Sequence, residues 1–130
     1  MKLEQKLHRA QQRLDSAYDL EPDLTSRQFV LLSCLAERGG ISQTKIGEDT
    51  RIDRSTTATM VTQLAKRGLI QRRRSRTDAR AYEVSLTAAG RAALKVATPK
   101  IAKADREALS ALNKDQRVAL LAALDTIAGI

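Results

Sequence analysis

Apolar residues recur at helical spacing along most of this 130-residue chain. Over residues 2–18 they stand three and four positions apart, which predicts an amphipathic helix. A second helix is predicted after Thr25 and Gln28, which form a capping box. Its apolar run, residues 29–36, covers more than one face, so we expect this helix to be buried on two sides. The first third of the chain is therefore expected to be helical.

The middle of the chain predicts two short helices joined by a tight turn. Ser42 is placed to cap the first, which runs to about Asp49, and Asp53 to cap the second. In the second, one stripe is spaced i, i+3, i+4, i+7 and is expected to face the core: Thr57, Met60, Val61 and Leu64. The opposite face carries exposed polar side chains: Ser55, Thr59, Thr62 and Lys66.

After Gly68, which is placed to end this helix, the pattern changes from helical to alternating. Residues 69–74 predict a strand, residues 75–80 a turn, and the apolar positions Tyr82, Val84 and Leu86 its partner strand. Guanidinium groups crowd the turn region: Arg72, Arg73, Arg74, Arg76 and Arg80. Asp78 is the lone acid among them, and we expect it to anchor the turn or to orient Arg80 by a charge-assisted hydrogen bond.

The C-terminal third predicts two more helices. Thr87 is placed to cap the longest pattern, in which Pro99 is expected to cause a kink or a break. Small residues form a seam along it: Leu94, Ala97, Ile101, Ala104 and Ala108. Asn113 with Gln116 predicts the start of the last helix. This seam and the first helix have little core to cover them in one chain, and a two-fold dimer would bury both.

These elements predict a mainly α fold with a small antiparallel β-hairpin (α+β), in the order α-α-α-α-β-β-α-α, with a one-residue strand near Ile41. Two helices joined by a short turn and followed by a hairpin form a winged helix-turn-helix. We expect it to span residues 23–87. Residues 1–22 and 88–130 are expected to form a helical dimerisation region, the whole being one intertwined domain.

The charge distribution indicates a partner. Of the net charge of +8, residues 42–82 carry +6, with ten basic and four acidic side chains. A localised basic excess is typical of a polyanion binder, although a solvated basic surface or attraction to anionic lipid would look similar. No apolar run approaches the roughly 20 residues that span a bilayer. One cysteine excludes an intramolecular disulfide and fits a reducing compartment. From both observations we expect a soluble cytoplasmic protein without membrane contact.

Other kinds of site are not indicated. The chain has no glycine-rich phosphate loop, nucleophile motif or catalytic cluster, which argues against an enzyme. His8, the single histidine, is expected on the surface, so neither a metal nor a cofactor is predicted. Cys34 is interpreted as a small buried hydrophobe, with a redox role as the weaker alternative. Tyr18 is interpreted as a packing residue, with a ligand pocket as its alternative.

The polar helix face and the arginine hairpin together fit double-stranded DNA. The major groove admits one α-helix, and short hydroxyl side chains can reach the base edges there. Threonine methyls could also pack on thymine methyls. A narrow minor groove attracts arginine, and Arg80 at the tip of the hairpin is placed to supply it. The alternative from another class is a winged-helix module that meets an acidic protein, or any nucleic acid, without sequence specificity.

Five short motifs resemble the multiple-antibiotic-resistance regulator (MarR) family: Leu24-Thr25-x-x-Gln28-Phe29, Asp53-x-Ser55-Thr56, Leu64-x-x-x-Gly68-Leu69-Ile70-x-Arg72, Asp78-x-Arg80-Ala81 and Leu86-Thr87-x-x-Gly90. The resemblance covers nearly the whole chain. It implies a homodimeric repressor or activator of transcription, and many members of the family release DNA when a small ligand binds. We expect a repressor that a small ligand releases from its operator, and a two-fold dimer predicts that this operator is pseudo-palindromic.

The resemblance also implies a recognition helix over residues 53–67. Together with the hairpin, it predicts the DNA-binding residues Arg54, Ser55, Thr56, Thr59, Arg72, Arg74, Arg76, Asp78 and Arg80. Thr59 stands where many members carry an arginine that reads a base. Arg51 stands where the turn usually has glycine, and Gly47 where the family usually has alanine. No ligand-binding residue is indicated.

Overall fold

The computed structural model describes residues 1–18, 23–78 and 80–130. Within them the chain forms six helices and one two-stranded antiparallel sheet. The elements are α1 (Leu3–Ala17), α2 (Ser26–Arg38), α3 (Gln43–Thr50), α4 (Arg54–Lys66), β1 (Ile70–Arg74), β2 (Tyr82–Leu86), α5 (Ala88–Ala108) and α6 (Lys114–Ala128). This is the predicted order, and the predicted fold class is confirmed.

Side-chain caps explain where the helices begin. At α2 the Thr25 hydroxyl accepts the Gln28 N–H at 3.2 Å, and the Gln28 side chain accepts the Thr25 N–H at 3.1 Å. Ser42 caps α3, and Asn113 with Gln116 forms the same reciprocal box at α6. Each cap satisfies backbone donors that have no partner within the helix. The predicted caps are confirmed.

The winged-helix part has a continuous apolar core. Its fully buried side chains include Leu31, Leu32, Leu35, Ile46, Val61, Leu64 and Val84. The predicted stripe of α4 lies within this core, and even Thr57 is buried. The prediction that α2 is buried on two sides is wrong, because Val30 is 44% exposed. Packing against α3 and β2 covers one face of α2, which leaves Val30 on the other.

The hairpin is joined to this core by its backbone. β1 and β2 pair antiparallel from Ile70 opposite Leu86 to Arg74 opposite Tyr82. The predicted one-residue strand is Ile41, which exchanges two hydrogen bonds with Val84, at 3.1 and 2.7 Å. The base of the hairpin is therefore held by a third short segment, while its tip extends away from the core.

One motif explains the junction between helix, hairpin and α5. Gly68 has a φ of 74°, and the N–H groups of Gly68 and Leu69 return to carbonyls of the last turn of α4. The Thr87 hydroxyl donates to the Gly68 carbonyl at 2.6 Å and accepts the Gly90 N–H at 3.1 Å. A Cβ on Gly90 would collide with the Leu69 carbonyl oxygen. The motif Leu86-Thr87-x-x-Gly90 thus holds the start of α5 against the base of the hairpin.

Helix α5 passes through Pro99 without ending, so of the two predicted alternatives the break does not occur and the kink stays a prediction. A proline removes one hydrogen bond and crowds the preceding turn, which costs about 3 kcal/mol. A 21-residue helix retains its other hydrogen bonds on both sides of that position.

The chain divides into two compact units, Met1–Tyr18 with Ile101–Ile130, called here the helical unit, and Asp19–Lys100, called the winged unit. In the helical unit neither α1 nor α6 contains a buried residue. Exposed apolar side chains line both helices: Leu3, Leu7, Val118, Leu121, Leu124 and Ile127. The dimerisation role predicted for residues 1–22 and 88–130 stays a prediction, and residues 19–22 lie outside the described part.

Part of the seam of α5 is covered within the single chain. Leu94, Ala97 and Ala104 are buried, so for these three residues the expectation of an uncovered seam is wrong. Ile101 and Ala108 are half-buried. Most of the exposed large apolar side chains lie on α1 and α6, and Val96 of α5 is exposed as well. No described helix is both long and apolar enough to cross a membrane.

Candidate nucleic-acid interface

The turn before α4 holds an unusual backbone conformation. Arg51 has a φ of 59°, and no other non-glycine residue among those described has a positive φ. This left-handed conformation is disfavoured for a residue with a side chain by about 1–2 kcal/mol. The exposed side chains of Arg51 and Arg54 both line an open cavity of about 300 Å³ at this turn, which places two guanidiniums beside the start of α4.

Asp53 holds the start of α4. Its carboxylate accepts the Thr56 N–H at 2.9 Å. Hydrogen bonds from the Thr56 hydroxyl, first, and from its backbone hold the pKa of Asp53 below its ordinary value. Asp53 is therefore charged at neutral pH, and its carboxylate caps α4 through the Thr56 N–H.

The outer face of α4 is polar and exposed, as predicted. Ser55, Thr59 and Thr62 all lie on the surface. The Thr59 hydroxyl donates to the Ser55 carbonyl at 3.1 Å, and the Thr62 hydroxyl accepts a hydrogen bond from Arg72 at 3.3 Å. Arg72 thus links the recognition helix to the hairpin. Ser55 is left with a hydroxyl that bonds to no other described side chain or backbone group.

The arginines of the hairpin are all exposed, but they are held to different degrees. The guanidinium of Arg74 lies 5.9 Å from the centre of the Tyr82 ring, on the opposite strand. Tyr82 is 55% exposed, so the apolar alternation of β2 ends before it and its ring supports Arg74 instead of the core. Arg73 donates to Gln71 at 3.4 Å. Arg76 and Arg80 extend from the tip.

The tip of the hairpin is organised by Ser75. Its hydroxyl oxygen accepts the N–H groups of Thr77 and Asp78, at 3.2 and 3.3 Å, and its hydroxyl lies 3.3 Å from the Glu83 carboxylate. Its backbone N–H donates to the Ala81 carbonyl at 2.9 Å. These bonds join both strands and hold the residues between them.

Asp78 anchors the turn, which is one of the two roles predicted for it. Its carboxylate accepts the Arg80 backbone N–H at 3.0 Å, and its carbonyl accepts the Ala81 N–H at 3.1 Å. The Asp78 carboxylate therefore bonds to the backbone of Arg80 and not to its guanidinium, and it fixes the backbone of the turn. Ala79, between them, is outside the described residues.

Sequence reasoning missed three residues of this surface: Ser75, Tyr82 and Glu83. Ser75 resembles any polar turn residue until its distance from Glu83 across the hairpin is known. A serine hydroxyl can accept hydrogen bonds from the backbone N–H groups two and three residues further along the chain. A serine at this place in a turn is therefore a weak sequence signal. Tyr82 was interpreted as part of the apolar alternation, and its pairing opposite Arg74 was the available signal.

The other candidate residues do not form a site. Cys34 is half-buried and not fully buried as predicted, and burial, first, and the Asp49 carboxylate raise the pKa of its thiol. The described residues hold no cluster of histidine, cysteine or acidic side chains fit for a metal. The Tyr18 hydroxyl donates to Asp105 within the helical unit.

Comparison with known proteins decides the family. The MarR family model matches residues 24–82. The transcriptional repressor NicR of Pseudomonas putida is 35% identical over 101 residues, which are 78% of this chain and 64% of NicR, so the match spans just under two thirds of that protein. The solved structure of the transcriptional repressor CouR bound to a 23-mer DNA duplex is 36% identical, with a TM-score of 0.90 over 98% of this chain and 92% of the CouR chain.

The chain belongs to the MarR family. A third relative, BpsR of Bordetella bronchiseptica, is 27% identical with a TM-score of 0.90, over 98% of this chain and 99% of its own; 6-hydroxynicotinic acid regulates its DNA binding. The protein is thus a DNA-binding transcription regulator of the MarR type and not an enzyme, as the sequence predicted.

Proposed function

We propose that the protein is a homodimeric, sequence-specific repressor that uses α4 and the hairpin on each of two operator half-sites. The observation that carries the proposal is the exposed surface made by the polar face of α4, the pair Arg51 and Arg54, and the arginine hairpin. Cations of this surface would contact phosphates, and the outer face of α4 would enter the major groove.

Eight of the nine residues predicted from the sequence fall into three groups in this proposal, and the ninth, Thr59, lies exposed on the outer face of α4. Arg54 and Ser55 are free to contact DNA directly, and Arg76 and Arg80 extend from the wing tip. Arg72 and Arg74 are braced by Thr62 and Tyr82, so they would present fixed charge to the backbone. Thr56 and Asp78 would act by holding the cap and the turn.

The apolar surface of α1 and α6 supports the dimer. Exposed leucine and isoleucine side chains crowded on two helices are typical of a protein–protein interface. A two-fold dimer would present one recognition helix to each half-site of a pseudo-palindrome, in which the half-sites lie about one helical turn of DNA apart, ~34 Å.

A pocket in the winged unit supports response to a small acid. Its volume is about 340 Å³, and its walls include Leu24, Leu69 and Ala97 together with the cations Arg67 and Lys100 and the carboxylate Asp23. The two cations outnumber the one acid, so this largely apolar pocket has the net positive charge that would suit an aromatic carboxylate. The regulation of BpsR by 6-hydroxynicotinic acid makes that compound the first probe. It should weaken DNA binding of the wild type and have less effect on Lys100→Ala.

Selection from a pool of random duplexes tests the proposed function. The protein should enrich an inverted repeat, and the enriched duplex should resist competition by bulk DNA with a preference of at least ~10³. Uniform competition, with no enriched sequence, would instead support the alternative of a non-specific winged-helix module.

A further inference from the structure

The hydroxyl groups on the outer face of α4 differ in the hydrogen bonds that they make. The Thr62 hydroxyl accepts a hydrogen bond from Arg72 and keeps its own proton. The Thr59 hydroxyl donates to the Ser55 carbonyl at 3.1 Å, one turn back along the helix. Its proton is therefore unavailable to a base edge.

That hydrogen bond fixes what Thr59 presents to its surroundings. Threonine in a helix populates two χ1 positions, because its hydroxyl can bond a carbonyl of the preceding turn. Since the hydroxyl of Thr59 is held at the Ser55 carbonyl, its γ-methyl takes a different staggered position, away from that carbonyl. Thr59 is exposed, and no described residue covers it. The central outward position of the recognition helix therefore presents an apolar group.

We propose that Thr59 is a specificity-determining residue that selects thymine through methyl–methyl contact in each half-site. Thymine is the base that carries a methyl group in the major groove, and an apolar side-chain contact distinguishes it from the other three. This inference rests on the proposed function, because it assumes that α4 enters the major groove. Ser55, with its free hydroxyl, would supply hydrogen bonding beside it.

The size of the effect follows from the area of one methyl group. Burial of a methyl-sized group changes affinity by about fourfold, and a change in both half-sites of a dimer's operator by roughly fifteenfold. This is a small but measurable part of the specificity of a whole operator.

The experiment uses a duplex enriched by the wild-type protein from random sequence. Thymines are replaced by deoxyuridine, one symmetric pair at a time, which removes only the methyl group. At one pair the wild type should lose affinity by about fifteenfold. Thr59→Ser keeps the hydroxyl without the methyl, so deoxyuridine should cause no further loss. Thr59→Val keeps the methyl without the hydroxyl, so the ratio between thymine and deoxyuridine duplexes should stay at the wild-type value.

The outcomes separate failure of the inference from failure of the proposed function. If an operator is enriched but no thymine pair is sensitive, the inference is overturned. The same holds if Thr59→Ser keeps the sensitivity and Thr59→Val loses it, since the hydroxyl would then be the reading group. If no sequence is enriched at all, the proposed function fails first. Both substitutions are on the surface, and thermal unfolding of each variant verifies the fold.

Discussion

The two compact units of this chain differ in how completely they bury their own apolar side chains. The winged unit encloses a core of Leu31, Leu35, Ile46 and Leu64, all nearly inaccessible to solvent. In the helical unit, α1 and α6 bury no residue, and Ile127 is 81% exposed. The winged unit thus has the packing of a finished domain, whereas α1 and α6 leave apolar side chains uncovered, as the proposed dimer interface requires.

The largest effect is expected from breaking that interface. Leu121→Glu with Leu124→Glu places two charges on the apolar face of α6, so the protein should become monomeric in sedimentation equilibrium. Loss of the second linked binding site should reduce operator affinity by at least about a hundredfold. As a matched control, two glutamates at Lys114 and Gln116, at the polar start of α6, should leave a dimer. A double variant that stays dimeric would show that α6 is not the interface.

The same leucine-to-alanine substitution, made once in each unit, tests the difference in burial between the two units. Leu64→Ala empties a site with no solvent exposure and should lower the free energy of unfolding by about 2–5 kcal/mol. Leu121→Ala alters a side chain that is 54% exposed in the single chain, so its effect should depend on protein concentration. Thermal unfolding at several concentrations measures both. Concentration-independent melting of wild type and Leu121→Ala alike would contradict the comparison.

A smaller effect is expected from the wing tip. Arg80→Ala should weaken operator binding about tenfold and lower the salt slope by about one charge, since it removes one cation from the DNA. Arg106→Ala, an exposed arginine of the helical unit, is the control and should leave the slope unchanged. The wing assignment is wrong if the two variants behave alike in anisotropy titrations at several salt concentrations.

The smallest effect concerns a polar contact inside the helical unit. Burial, first, and the hydrogen bond to Asp105 raise the pKa of Tyr18 from 10.0 to about 12. Because the folded value is the higher one, this contact contributes stability fully below about pH 10 and loses it as pH rises toward 12.

The measurement uses Tyr82→Phe, which leaves Tyr18 as the single tyrosine. Its ionisation, followed by tyrosinate absorbance, should have a midpoint near 12, and Asp105→Asn should lower that midpoint. An ordinary midpoint in Tyr82→Phe would mean that the contact is absent in solution.

The parts of the fold that could be predicted are those encoded locally. The caps at Thr25, Asp53 and Asn113 depend on residues three positions apart, and the core stripe of α4 on a spacing of three and four. The hairpin was visible as a change of period after Gly68. For the same reason the MarR-type motifs could be located before any coordinates were known.

The errors concern contacts between distant residues. Periodicity predicts which positions share a face of a helix, but not whether another element covers that face. For this reason the burial of Val30 and the coverage of part of the α5 seam are both predicted wrongly. Ser75 acquires its role from Glu83, eight residues away across the hairpin. The division of hydroxyl groups on α4 depends on rotamers, which the spacing of Ser55, Thr59 and Thr62 does not encode.

In the proposed function, two chains act together on the two half-sites of one operator. An anisotropy titration with the enriched inverted repeat, beside a duplex that retains one half-site and a scrambled second half, tests it most directly. We predict two chains bound to the full site, with an affinity at least ~10² higher than for the single half-site. Equal affinity for both duplexes, with one chain bound to each, would contradict the account.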